Sequence, residues 1–300
     1  MSTAITPALE SAMDDEGIYD EDGLKKTLTS SKVWARLDDN NFVPVPASVP
    51  HLKSGVYKIV NTNQGVRIQT SEIKADALIA DPDEESKTAM VTSEIKEFWG
   101  RADVFNQMGL LHRRGYLLYG PPGTGKSCLL KQLSDNLTAT GGITIVVSSV
   151  SLLTIGLALI RSVEPTRKIM CIFEDVENFV SYDESRFLSY LDGEDQVQHV
   201  VNIGTTNHID RLPPRVKERP RRFDRPIEVA PPSESMRRVY LTAKLAIAKK
   251  SAAEIDQWVK LTKGFTFAAM TDLITSVCCL GKNLNDSVTA IKTLLKVQTF

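Results

Sequence analysis

The chain has 300 residues and balances 36 Lys and Arg against 37 Asp and Glu, a net charge of −1. That balance excludes a global field drawing in nucleic acid or an anionic membrane. The length leaves room for two or three domains, and an apolar share of 42% is that of an ordinary globular protein.

Residues 1–30 are acidic, with Glu10, Asp14, Asp15, Glu16, Asp20, Glu21 and Asp22 close together. They read as a solvated tail. The start of the chain has neither a basic opening nor an apolar core, so it does not read as a secretory signal. Residues 31–85 read as a small β-rich domain. Its short strands, "KVWARLD", "NFVPV", "GVYKIVNT" and "GVRIQT", are separated by Asn-, Asp- and Gly-rich turns. "DPDEESK" (81–87) is a charged linker. "TSEIKEFWGRADVFNQMG" (92–109) then reads as one helix or two short ones, with Ile95, Phe98 and Trp99 as the apolar stripe.

From Gly115 to Ala230 strands and helices alternate, the pattern of a parallel sheet with crossover helices. The stretch "ITIVVSSVSLLTIGLALI" (143–160) carries no charge and is long enough to span a bilayer. Ser148, Ser149, Ser151, Thr154 and Gly156 interrupt it, so a strand, a polar break and a buried helix account for it better. From Ser233 onward only helical patterns remain, at about 233–248, 252–262, 266–280 and 284–297. The fold expected is α/β: a P-loop, three-layer parallel-sheet core over 86–230 and a helical C-terminal lid over 231–300, preceded by the small β-rich domain. The cysteines, Cys128, Cys171, Cys278 and Cys279, form no CxxC and read as small buried thiols in a reducing compartment rather than a zinc site.

Three stretches carry chemistry. "GPPGTGKS" (Gly120, Pro121, Pro122, Gly123, Thr124, Gly125, Lys126, Ser127) fits G-x-x-x-x-G-K-[ST], between the strand "YLLY" and a helix that opens with Cys128. Glycines let backbone N–H groups surround a pyrophosphate at a helix N-terminus. Lys126 then reaches the β- and γ-phosphates of ATP, and the Ser127 hydroxyl binds Mg²⁺. In "KIMCIFEDVENF" an apolar strand ends in Glu174 and Asp175. Two acids there are costly unless they face a cation or a polar site. The usual order is aspartate then glutamate, and here it is reversed. By register Glu174 takes the Mg²⁺ side and Asp175 the water-activating position.

The third stretch, "VVNIGTTNHIDRL", ends a strand at Thr205, Thr206 and Asn207. Asn207 can hold the attacking water or touch the γ-phosphate, or simply close an Asx turn. The basic run that follows includes Arg219 and Arg222. It is suited either to nucleic acid or to the phosphates of ATP on a neighbouring subunit, and these two arginines are the candidates for the latter role.

"GPPGTGKS", "CIFEDVE", "GTTNHIDRL", "RPRRFDR" and "GFTFAAMTDL" resemble, in order, the Walker A, Walker B, sensor-1, arginine-finger and lid motifs of the AAA family of ATPases. They span about Glu94 to Leu280. Within the family, "RRGYLLYGPPGTGKS", the reversed acids and "TTNHIDRL" are most similar to the branch of mitochondrial chaperones that assemble respiratory complex III, which has bacterial and viral relatives.

The resemblance implies a homo-oligomeric ring, a hexamer, with ATP and Mg²⁺ between neighbouring copies and ATP hydrolysis coupled to remodelling or translocation of a protein partner. A nucleic-acid motor or loader and an ATP-switched scaffold are the rival readings. The loop near Ser148–Gly156 lacks the aromatic–hydrophobic–glycine grip of threading unfoldases. The expected setting is cytoplasmic, with no membrane anchor.

Overall fold

The computed structural model describes residues 33–36, 42–45, 49–63, 65–75, 86–193, 197–217 and 222–297. The acidic tail and Arg219 therefore lie outside the described residues. The chain divides into two compact units, Met1–Leu52 and Lys53–Phe300. In the first, β1 (Val33–Arg36) pairs antiparallel with β2 (Phe42–Val45), Trp34 opposite Pro44.

The second unit is built on a seven-stranded sheet of order β4-β3-β6-β7-β8-β5-β9. Its strands are β3 (Gly55–Thr62), β4 (Gly65–Thr70), β5 (Arg113–Tyr119), β6 (Ile143–Val146), β7 (Ile169–Phe173), β8 (Val200–Thr206) and β9 (Arg225–Glu228). All neighbours run parallel except β3 and β4, which form an antiparallel hairpin. A single β-rich domain over 31–85 is not what forms. Residues 55–70 extend the core sheet instead, because β3 pairs with β6, Tyr57 opposite Ile145. The "GVYKIVNT" pattern marked a strand correctly but could not name its partner.

Helices cover both faces. On one lie α1 (Lys87–Trp99), followed by α2 (Ala102–Gln107), and α3 (Lys126–Ala139). Val91, Ile95 and Phe98 of α1 and Leu130 and Leu133 of α3 pack with Tyr116, Leu118, Met170, Ile172, Val201 and Ile203 of the sheet. Alternate strand residues point the other way, as the two-residue strand period requires. There Phe173 meets Phe187 and Tyr190 of α5 (Val176–Asp192), with ring centroids 5.5 and 5.8 Å apart. The strands β7 and β8 are buried along their whole length, which is why they read as unbroken apolar runs.

The uncharged stretch resolves into β6 and α4 (Val150–Val163), separated by a break at which Ser149 caps the helix by accepting from Leu152 N–H. Among the described residues no helix is long and apolar enough to cross a membrane. α1 begins at Lys87, five residues before the stretch read as helical, because Ser86 caps it through Ala89 N–H at 3.2 Å.

After the 3₁₀ turn Ile209–Arg211 and the short α6 (Pro214–Lys217), the C-terminal segment forms α7 (Glu234–Leu245), α8 (Ala252–Leu261), α9 (Phe267–Ile274) with a π-helical extension to Cys279, and α10 (Leu284–Val297). They share their own core, centred on Leu241, Trp258, Phe265, Met270 and Leu273. Cys171 is buried and Cys128 half-buried, but Cys278 and Cys279 are exposed, so the reading of buried thiols fails for that pair.

Candidate nucleotide site

β5 carries its apolar run to Tyr119 and stops because the backbone must turn through a space that admits no side chain. At Gly120 φ is +149°, and a Cβ would lie 2.3 Å from Val229 O. Gly123, with φ +75°, faces the lid, where a Cβ would meet the Ala268 methyl at 2.4 Å. The loop is pinned by Gly120 N–H donating to Thr206 O (3.3 Å) and by the buried Thr124 hydroxyl donating to Pro121 O (2.9 Å). α3 then starts from Gly125, which offers no side-chain cap. The first-turn N–H groups are therefore left to an outside acceptor, the arrangement that suits an anion.

Lys126 is half-buried and donates to Gly120 O (2.7 Å) and Pro121 O (3.0 Å). Burial holds its ammonium below the ordinary lysine range, and the Asp175 and Glu177 carboxylates offset part of that. A cavity of about 820 Å³ opens beside the loop, within the size range of small-molecule sites. Pro122, Gly123, Thr124, Gly125, Lys126, Ser127 and Cys128 line it, together with Glu174, Asp175 and Asn207. Three stretches far apart in sequence thus meet in one place. Gly120 and Pro121 sit behind the loop and contribute the carbonyls that hold Lys126.

The two acids follow the end of β7 and are exposed to the cavity. Burial of its surroundings, and then the adjacent Asp175, push the Glu174 carboxyl above its ordinary range. Asp175 precedes α5 in a left-handed backbone conformation (φ 52°, ψ 68°), and its N–H donates to the Thr205 hydroxyl at 3.2 Å. Asn207 is half-buried just beyond β8. The turn there is closed by Thr206, whose hydroxyl accepts from His208 N–H at 3.0 Å.

Arg222, read as a residue offered to a neighbour's nucleotide, lies away from the cavity of its own chain and is engaged within that chain. Only 3% of it is exposed. Its guanidinium makes a two-pronged pair with Asp192 (Nε–Oδ1 2.7 Å, Nη2–Oδ2 2.8 Å) and also donates to Arg215 O. The planar fork is committed inside its own chain.

Sequence reasoning assigned no role to several cavity residues. Thr205 lines it, as do Lys74 and Lys87, and Tyr240, Phe267 and Ala268 bring the lid to its edge. Ala268 N–H approaches Gly123 O at 3.4 Å. The doubled threonine before Asn207 was the available signal for Thr205. Phe267 and Ala268 lie in "GFTFAAMTDL", which marked the lid but not its contact with the loop, and nothing local marks Tyr240, because these contacts arise only through tertiary packing.

A glycine-lined phosphate loop between a parallel strand and a helix, faced by strand-end carboxylates, defines a P-loop nucleotide site. Residues 116–231 match the model of the "ATPase family associated with various cellular activities (AAA)", and the chain carries an AAA ATPase domain. It is similar to the "Mitochondrial chaperone BCS1" of Bos taurus, 34% identical over 158 residues that cover 47% of this chain and 37% of the relative. It is also similar to the "26S proteasome regulatory subunit S10B homolog B" of Arabidopsis thaliana, 31% identical over 58% of this chain and 48% of the relative. The "Proteasome-activating nucleotidase" of Aeropyrum pernix is 32% identical over 57% of this chain and 46% of the relative. The matched region spans less than half the length of each of these relatives.

Proposed function

We propose that this chain is a ring-forming ATPase that couples hydrolysis of ATP to remodelling or translocation of a protein partner. The observation that carries the reading is the convergence of the phosphate loop, Glu174 with Asp175, and Asn207 on one cavity at the edge of a helical lid. In this reading the loop N–H groups and Lys126 hold the phosphates, exchanging the Gly120 and Pro121 carbonyls for phosphate oxygens. Ser127 and Glu174 would hold Mg²⁺. Their hard oxygens fit that ion. Mg²⁺ characteristically takes one or two protein oxygens and completes its shell with phosphate and water. When bound it supplies charge neutralisation to the phosphates.

Asp175 accepts the proton of a water held by Asn207 as the water oxygen bonds to the γ-phosphorus and the bond to the β–γ bridging oxygen breaks. With Arg222 engaged in its own chain, Arg219 of a neighbouring copy is the candidate to face the γ-phosphate. The lid touches the loop through Ala268 and Gly123, so a change in the loop on hydrolysis has a direct route to the helical domain. Near-neutral charge favours a protein partner over nucleic acid, and four cysteines with no disulfide between them suit the reducing cytoplasm.

The test is ATP turnover and sedimentation with and without nucleotide, adding native protein, unfolded protein or DNA. Turnover by an ATP-stabilised oligomer, stimulated by protein, supports the reading. A monomer at all nucleotide concentrations, or stimulation by DNA alone, defeats it. Lys126→Ala should lose nucleotide affinity in a fluorescence titration, and unchanged affinity would reject the site itself.

A further inference from the structure

The reversed order of the two acids raises a geometric problem. Asp175 has a shorter side chain than glutamate, so its carboxylate depends more closely on where the backbone places it. That backbone is in the left-handed region at φ 52°, which few non-glycine residues adopt and aspartate more readily than most. α5 begins immediately after, at Val176, and Asp175 makes no side-chain cap to it. The carboxylate is thus left free of the role aspartate usually performs at a helix start.

What holds the turn is on the adjacent strand. β7 and β8 run parallel with Phe173 opposite Gly204, so the pairing ends just before Glu174 and Thr205. Beyond it the Asp175 N–H, which no ladder bond can satisfy, donates to the Thr205 hydroxyl at 3.2 Å. Thr205 is 5% exposed and lines the cavity. The following threonine does something different: Thr206 closes the turn at His208. Close packing supports the arrangement, since a Cβ on Gly204 would lie 2.7 Å from Val176 Cγ2, the first residue of α5. The strand end, the hydroxyl and the helix start therefore fit one another without slack.

We infer that Thr205 is a positioning residue for Asp175: its hydroxyl accepts the Asp175 N–H, holds the left-handed turn, and so aims the carboxylate at the attacking water. The inference rests on Asp175 being the group that takes the proton. Its effect belongs to the rate of the chemical step, because the phosphate loop and the Ser127–Glu174 pair do not pass through this bond. A small displacement of a reacting group is enough to cost one to two orders of magnitude in rate.

The experiment compares Thr205→Val, which keeps the shape and removes the acceptor, with Thr205→Ser, which keeps the hydroxyl. Both are made in the full chain and again in an Asp175→Asn background. Thr205→Val is expected to lower kcat about tenfold or more, with ATP affinity close to the parent, and Thr205→Ser is expected to recover most of the rate. In the Asp175→Asn background Thr205→Val should cost nothing further, since residues acting as a unit are not additive. Equal losses for Val and Ser, a full second loss in the double variant, or an effect seen only in stability would overturn the positioning role. Normal turnover by Asp175→Asn alone would instead remove the premise about Asp175, an outcome separable from the others because it does not involve Thr205.

Discussion

Arg222→Ala is expected to damage the fold before it damages chemistry. The wild-type guanidinium is 3% exposed and meets both oxygens of Asp192 at 2.7 and 2.8 Å. The Asp192 side chain retains about a quarter of its exposure. Removing one partner of a fully buried pair costs about 3–5 kcal/mol, chiefly because the other charge is left unpaired. Water can reach Asp192 once the arginine is gone, so the loss here should be about 2–3 kcal/mol. For a domain of this size that corresponds to a fall in melting temperature of about 5–10 °C. The backbone at Arg222 also matters: Gly115 of β5 lies so close to it that a Cβ would come within 1.9 Å of Arg222 O. A loosened turn would therefore be felt at the strand leading into the phosphate loop. Thermal and urea denaturation of Arg222→Ala, Asp192→Asn and the double variant measure this. The two single losses should overlap strongly, leaving the double variant little worse than either. If Arg222→Ala instead keeps parental stability and ATP affinity but loses turnover, and mixing it with Lys126→Ala subunits restores activity, the in-chain assignment is refuted and Arg222 acts on a neighbour after all.

The two acids should separate cleanly: Asp175→Asn is expected to bind Mg·ATP with near-normal affinity and turn over at least about tenfold slower, whereas Glu174→Gln should weaken the Mg²⁺ dependence of ATP binding. Titrating ATP against Mg²⁺ for both variants checks this, and exchanged phenotypes would shift the assigned register by one residue. Gly156→Val should destabilise by about 1–3 kcal/mol, since its Cβ would lie 2.1 Å from Ile59 Cδ1 and 2.8 Å from Ile59 Cγ1. Ile59→Ala in the same chain should recover part of the loss in a denaturation series. At the far end of the sheet, buried His112 must donate through Nε2 to Phe98 O (2.8 Å), because a carbonyl only accepts, leaving Nδ1 to accept from His199 Nδ1–H (3.0 Å). Burial chiefly lowers both pKa values, helped by Lys168 for His112 and by His112 and Arg161 for His199. Their contribution is thus complete above the unfolded value of about 6.5 and is lost as pH falls through the lower folded values. Melting temperature should drop as pH falls below about 6.5, and His199→Asn, which keeps a donor and tolerates φ 55°, should flatten that slope.

How far the sequence could carry these conclusions depended on whether the signal was local. The phosphate loop was legible because its pattern is local: the glycines and Lys126 keep a fixed spacing, and the strand and helix on either side show their own periodicity, although the atoms that crowd Gly120 and Gly123 belong to Val229 and Ala268. The uncharged stretch from Ile143 to Ile160 was also legible, since its polar break falls where Ser149 caps the helix. The meaning of Gly156 was not, because the side chain that crowds it belongs to β3, some hundred residues earlier in the chain. For the same reason residues 55–70 were placed in a separate domain. An antiparallel hairpin looks alike whether it stands alone or adds itself to the edge of a parallel sheet, and only the pairing of Tyr57 with Ile145 distinguishes the cases.

The arginines show the same limit from the side of electrostatics. Sequence spacing made Arg219 and Arg222 equivalent members of one basic run. Asp192, the carboxylate that claims Arg222, lies 30 residues upstream at the end of α5, and nothing in the run itself points to it. A guanidinium with both prongs on a carboxylate and almost no exposure has little left to offer another molecule. The reversed acids differ again. Their presence at a strand end was readable, but their roles depend on the turn, and the turn depends on a hydroxyl from the neighbouring strand. The order of two adjacent carboxylates therefore acquires a chemical meaning only once β8 lies beside β7, where the Thr205 hydroxyl can fix one of them in its left-handed backbone conformation.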